Sequence, residues 1–326
     1  MQNFTELYNS IKNPLFNGEL LRKLAECRGK DLYFELIKQN SKNKHFKDEY
    51  DYRENLYALL FNVWKNNILS LSKQQLLDLK QRGSYQGNIY ELYDSLSQQV
   101  KNIDTYEELQ QVFNCFPLVE KYCWYNYCKN NTSFIHIYSR ELRAKQEDYM
   151  DIKHRLYINP EPNDTYRLLG LFTIEALKEE ISFYYKFDDG IEKKRDDTIV
   201  MYASDENLLA YINILQNIGN RFPKLTSRCN KPPILTGYID KWIGYASEPT
   251  ERMKEKYGSY NNMVTELLED AINKAYSTIE NKRTEENSYK ILNDIISRNA
   301  RKYELDPHKI CFNSNIREKM IEEQER

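Results

Sequence analysis

Glycine is scarce here, 10 residues in a chain of 326. None falls in a GxGxxG or GxxxxGK pattern, so no loop is built to cradle a nucleotide's phosphates. The GxSxG elbow of a serine hydrolase is missing too. Histidine is rarer still: His45, His136, His154 and His308, with no spacing such as HExxH that would set two on one metal. His45 and His308 lie in polar stretches and read as surface residues. The six cysteines include no CxxC pair. Cys123 and Cys128 stand five apart with no second pair, which argues for reduced thiols rather than zinc or a disulfide framework. Charge of one sign is lacking as well. The formal net charge is -2, with lysine and arginine spread along the chain, so nothing points to nucleic acid. No apolar run approaches the length that spans a bilayer. The opening "MQNFTELYNSIKNPL" has no basic segment followed by an apolar one, so a secretory signal is not expected. These absences lead to the expectation of a cytoplasmic protein with no metal, cofactor, membrane or nucleic acid.

What the chain has in excess is tyrosine, 27 in all, and a change of texture near residue 130. Residues 1–130 read as a helical recognition or regulatory domain. In "YRENLYALLFNVWKNNILSL", Leu56, Leu59, Leu60, Val63 and Ile68 fall close to helical spacing. Ser72 with Gln75 three places on makes a capping-box pattern, and Asp104 is expected to cap a further helix. Residues 131–305 read as an α+β domain, a small mixed β-sheet flanked by helices. Its strands are "TSFIHIYS" (132–139), "HRLYIN" (154–159), "ISFYYKF" (181–187), "DTIVMYA" (197–203) and "KWIGYAS" (241–247). Helices are expected from an N-capping Asp164 to 180, and over 205–220, 259–280 and 287–304. Residues 306–326 are charged and are expected to fray as a tail.

The candidate chemistry lies on the strands. Side chains at i and i+2 share one face of a strand. Arg155 therefore points with Tyr157, and Ser182 and Tyr184 with Lys186, while Ile181, Phe183, Tyr185 and Phe187 make a core-like opposite face. Arg195 leads into the strand that carries Tyr202. A sheet face holding arginine, lysine and tyrosine suits an anion of about two negative charges, such as a phosphorylated side chain. The same residue types are also ordinary on a half-exposed sheet, where a lysine often guards an edge.

The order "SFIHIYSREL", "KHRLYINPEP", "ISFYYKFDD", "RDDTIVMYASDEN", "KPPILTGYIDKWIGYASEP" and "GSYNN" resembles the HopA-type effector family over about residues 132–275. That family takes in type III effectors of plant pathogens and lyase partners of kinases in lanthipeptide-like ribosomal-peptide pathways. More distantly the order is similar to the phosphothreonine lyases of enteric pathogens. The resemblance implies Lys186 as the base that removes an α-proton and Tyr157 as the acid. It implies Arg155 and Arg195 as phosphate ligands and Tyr202 as a tyrosine of the site; His136 and Tyr184 join Tyr202 as candidate substrate contacts. Three positions depart from the lyase pattern. Tyr157 stands where that family has a histidine, Ser204 replaces a lysine, and Ala246 replaces an arginine, for which Lys241 or Arg252 is the expected phosphate-binding substitute.

The implied activity is β-elimination of phosphate from phosphoserine or phosphothreonine in a peptide or protein, leaving a dehydroamino acid. It needs no cofactor. Its partners would be a phosphorylated peptide or protein and the kinase that phosphorylates it, or a chaperone if the chain is injected into a host cell. The alternatives are a non-catalytic phosphopeptide- or peptide-binding module and a host-targeted effector-like protein.

Overall fold

The structure, a computed structural model, describes residues 18–41, 60, 105, 107–109, 125–128, 134–138, 151–179, 181–188, 197–233, 236–282 and 288–325. Most of the expected helical domain of 1–130, including the Ser72 cap, lies outside these residues. In chain order the described helices are α1 (Gly18–Glu26), α2 (Gly29–Ser41), α3 (Pro162–Lys178), α4 (Leu208–Arg221), α5 (Pro223–Thr226), α6 (Glu251–Tyr257), α7 (Tyr260–Lys282), α8 (Ser288–Ala300) and α9 (Ser314–Glu325). The strands are β1 (Tyr125–Cys128), β2 (Phe134–Tyr138), β3 (His154–Ile158), β4 (Tyr184–Asp188), β5 (Ile199–Ala203), β6 (Gly237–Asp240) and β7 (Ile243–Ser247). The class is α+β.

Two compact units divide the chain: one of residues 1–56, 194–196 and 231–326, the other of 57–193 and 197–230. The second unit carries five strands in the order β1-β2-β4-β5-β3, each ladder antiparallel. Its core lies on the sheet face that meets α3 and α4. Phe183, Tyr185, Phe187, Ile199, Met201, Leu156 and Ile158 are all buried. Phe172 of α3 meets Tyr185 edge-on at 6.0 Å and Tyr211 of α4 at 5.1 Å. Such edge-to-face pairs hold more than their buried area alone supplies. Tyr185 keeps its hydroxyl satisfied inside this core by donating to Thr173 Oγ1 at 2.7 Å, which in turn donates to the Leu169 carbonyl.

The ends of several elements differ from the sequence expectation for local reasons. Pro162 at the first helical position starts α3 early, since its missing N–H would be unpaired there in any case. Asp164 is therefore not the cap. It lies buried in the first turn, where Arg228 grips both its oxygens at 2.7 and 2.6 Å. Near Asp104 the reciprocal pair is Thr105 with Glu108, each side chain accepting from the other's backbone N–H. α4 runs through Gly219 to Arg221 before Pro223 opens α5.

In the first unit β6 and β7 form an antiparallel hairpin with a bulge. α6 ends at Gly258, whose φ of 73° is the left-handed turn that glycine adopts without strain. α1 and α2 belong to this unit and are tied to α7: Glu269 accepts from the Gly29 N–H at 2.7 Å and pairs with Arg28. The C-terminal segment is not a loose tail. Ser247 N–H donates to the Cys311 carbonyl, and Phe312 packs on Tyr245. Asn313 joins three pieces: its Oδ1 caps α9 at the Ile316 N–H, its Nδ2 donates to the Glu248 carbonyl, and its N–H donates to Ser247 Oγ. Replacing Asn313 by alanine removes the cap and leaves buried partners unpaired, so it should cost about 1–3 kcal/mol. Urea unfolding measures this; a midpoint equal to that of the parent would show that the clamp carries no stability.

Candidate functional site

The sheet face turned away from α3 gathers six of the residues singled out in the sequence. Register places His136 opposite Lys186, Lys186 opposite Val200, and Val200 opposite Tyr157. In the next row Tyr184 faces Tyr202, and Tyr202 faces Arg155. Residues directly across antiparallel strands share a face, as do those two apart on one strand. His136, Lys186, Tyr157, Tyr184, Tyr202 and Arg155 are thus one set. The alternation is visible in burial: Tyr184 and Lys186 are half-buried, while Phe183, Tyr185 and Phe187 between and beside them are wholly buried.

Contacts tighten the set around Tyr202. Its ring stacks on Tyr184 with centroids 4.3 Å apart and planes at 17°. The Arg155 guanidinium carbon lies 5.2 Å from the Tyr202 centroid, and Lys186 Nζ lies 5.9 Å from the same point. Two cations are therefore held over one ring, no further apart than these two distances taken together. Lys186 leans toward β2, with Nζ 4.3 Å from the Phe134 centroid. His136 stacks beside Tyr184 and its Nδ1 is 3.0 Å from the Tyr184 hydroxyl. Arg155 is 7% exposed and Tyr202 6%, so both work in a largely water-free setting. Tyr157 is wholly buried, in the row of Lys186 but with Val200 between them.

The scaffold behind these side chains is pinned at the start of β4. Tyr211 of α4 donates its hydroxyl to the Ser182 carbonyl at 3.0 Å and accepts the Tyr184 N–H at 3.2 Å. Asn207 donates to the same carbonyl at 3.1 Å. Burial pushes the Tyr211 phenol far above its ordinary range, so it remains a neutral donor. The start of β3 is fixed by His154, which turns from Arg155 to the opposite face and meets Asp205 at 2.8 Å. Lys153, whose Nζ also lies 3.8 Å from Asp205, pairs with Asp151 at 2.5 Å. That hydrogen bond raises its pKa above the usual lysine value against the lowering effect of burial, with Asp205 adding to the rise.

Other candidates fall elsewhere. Arg195 lies outside the described residues. Lys241 sits exposed in the turn between β6 and β7, and Arg252 is exposed on α6, paired with Glu304; both belong to the first unit. Ala246 is buried on β7. Ser204, just after β5, accepts the Asn207 N–H at 3.3 Å. Two residues that are not among the named site candidates share its face. Phe134 is two residues before His136. Asp188, opposite Phe134 in register, is two residues after Lys186 and buried. Strand alternation alone would have found both, once β2 was known to lie beside β4.

No family model matches the chain, and no curated protein matches it. Among solved structures it is similar to an effector protein from Pseudomonas syringae pv. syringae strain 61. The TM-score is 0.38 at 11% identity, over 76% of this chain and 98% of that one. It is similar to a second effector protein, from Pseudomonas syringae pv. tomato strain DC3000, with TM-score 0.38 and 12% identity over 78% of this chain and 98% of that one. A likeness at that level fixes neither fold nor chemistry. Among the described residues, no helix is long and apolar enough to cross a membrane.

The hydrogen bonds at the start of β4 make a direct prediction. Tyr211→Phe leaves the Tyr184 N–H without its acceptor inside the fold, which should cost about 1–3 kcal/mol. Amide exchange at Tyr184 should quicken more than exchange in the middle of β5. Equal protection in the variant and the parent would remove Tyr211 from the account of how β4 is held.

Proposed function

We propose that the chain is a phosphoserine or phosphothreonine lyase that eliminates phosphate from a phosphorylated peptide or protein. The observation that carries the reading is that Arg155 and Lys186 lie 5.2 and 5.9 Å from the centre of the same Tyr202 ring. In the proposed reaction Lys186, as a neutral amine, takes the α-proton. The Cα–H electron pair becomes the Cα=Cβ double bond, the Cβ–O bond breaks, and phosphate leaves with that bond's electrons. Arg155 holds the departing phosphate; its guanidinium fork suits the phosphate oxygens, and burial strengthens the contact. Tyr157, in the row of Lys186 with Val200 between them, takes the role of giving a proton or hydrogen bond to the leaving oxygen. The substrate arrives already phosphorylated, so a kinase acts before this protein.

Lysine is a poor base at its ordinary pKa of about 10.4, and useful basicity near neutrality needs a fall of roughly two to three units. Arg155 on the same face and partial burial both push in that direction. Asp188 and the Phe134 ring push the other way. That opposition favours a second reading, a phosphopeptide-binding module in which Lys186 stays an ammonium ion and only binds.

The two readings separate in one experiment. Phosphoserine and phosphothreonine peptides incubated with the protein should lose the mass of one phosphoric acid and gain reactivity toward thiols. Lys186→Ala should abolish that loss, a fall of at least about 1,000-fold, while the peptide still binds. Arg155→Ala should weaken binding as well as turnover. Binding with no mass change in any peptide supports the module, and full turnover by the Lys186→Ala protein contradicts the assignment of the base.

A further inference from the structure

The Lys186 amine does not lie midway between its neighbours. Its Nζ is 4.3 Å from the centre of the Phe134 ring, closer than the 5.9 Å to Tyr202. A phenyl face attracts an ammonium ion through its quadrupole and has no such attraction for a neutral amine. Phe134 is itself buried, which spares that attraction from screening by water. β2 lies next to β4 in antiparallel register, with Phe134 opposite Asp188 and His136 opposite Lys186, so strand pairing sets Phe134 beside the amine.

We infer that Phe134 is a positioning residue whose ring holds the Lys186 ammonium ion turned toward β2, so that Lys186 must give up a proton to solvent before it can act as a base. This rests on the reading of Lys186 as the base, and goes beyond it by naming what restrains that base. Several described charged or titratable groups share the face and act on the same amine. Asp188, two residues along β4, favours the ammonium form. Arg155 on β3 opposes it, as does His136 across the ladder on β2 when protonated. Tyr184, Tyr202 and Tyr157 complete the set. Of these neighbours, Phe134 acts through its ring alone and carries no proton. Its effect can therefore be altered without changing the site's formal charge.

Fluorination of the Phe134 ring tests this. Fluorine withdraws electron density from the ring face while nearly preserving its shape, so the fold is retained across a series bearing one, two or three fluorines. The Lys186 ammonium is titrated by NMR in the free full-length protein labelled with 15N-lysine, its signal assigned by its loss in Lys186→Arg. The midpoint should fall stepwise along the series, by about half to one pH unit in total. A midpoint that does not move overturns the inference, whether or not the protein turns over phosphopeptide. Elimination rates measured alongside report on the base itself. If the titration falls and the acid limb of the rate profile falls with it, both readings stand. If the titration falls and no phosphopeptide is eliminated, the restraint stands and the base assignment fails.

Discussion

Arg155 and Lys186 carry the same charge, yet both lie over the ring of Tyr202. Like charges at such range repel, and burial of Arg155 makes the repulsion stronger than it would be in water. What holds them together is backbone register. Arg155 is opposite Tyr202, Tyr202 is opposite Tyr184, and Lys186 is two residues along from Tyr184. Aromatic faces supply compensating negative density, with Tyr202 near both cations and Phe134 beside Lys186. A dianion placed between the cations would relieve the repulsion directly. On the binding-module reading, in which Lys186 stays an ammonium ion, this is how phosphate is recognised.

The face is only as exact as the core behind it. Every strand that contributes a polar side chain to the site contributes apolar ones to the other side, and these are locked against α3 and α4 by Phe172, Tyr185 and Tyr211. A one-residue slip of β4 would send Lys186 into that core and bring Phe183, Tyr185 and Phe187 out, which the burial of three large aromatics forbids. Tyr211, Asn207 and Ser182 prevent the slip at its start, where the backbone leaves α3 and enters the sheet. The geometry of the site is thus a by-product of core packing on the reverse of the same strands.

Much of this was legible in the sequence, because strand alternation is a local property. "ISFYYKF" already sorts Tyr184 and Lys186 from Phe183, Tyr185 and Phe187, and "HRLYI" sorts Arg155 and Tyr157 from His154. Strand order is not local. Nothing in the residues says that β2 lies beside β4, so Phe134 and its contact with Lys186 could not be anticipated. Ends of elements were misjudged where a second signal competed. Asp164 looks like a cap, but Pro162 starts the helix earlier and Arg228, 64 residues away, claims the carboxylate. The C-terminal segment looks too charged to pack, yet Phe312, Asn313 and Ile316 anchor it. β1, the short β6 and α6 were missed because their brief runs carry weak periodicity. Roles at the site are another matter. Lys186 as base and Tyr157 as acid come from resemblance, and the fold supplies their neighbours rather than their chemistry.

The central claim is that Arg155 and Lys186 act on one bound phosphopeptide in one elimination step. A double-mutant cycle on kcat/KM for phosphate release tests this most directly, with Arg155→Ala, Lys186→Ala and the double variant compared at fixed salt. Two residues that act together in one step should be coupled, so the double variant should differ from the sum of the single losses by at least about 0.5 kcal/mol. Losses that add within error would mean that the two side chains serve separate purposes, and the site as described would not exist.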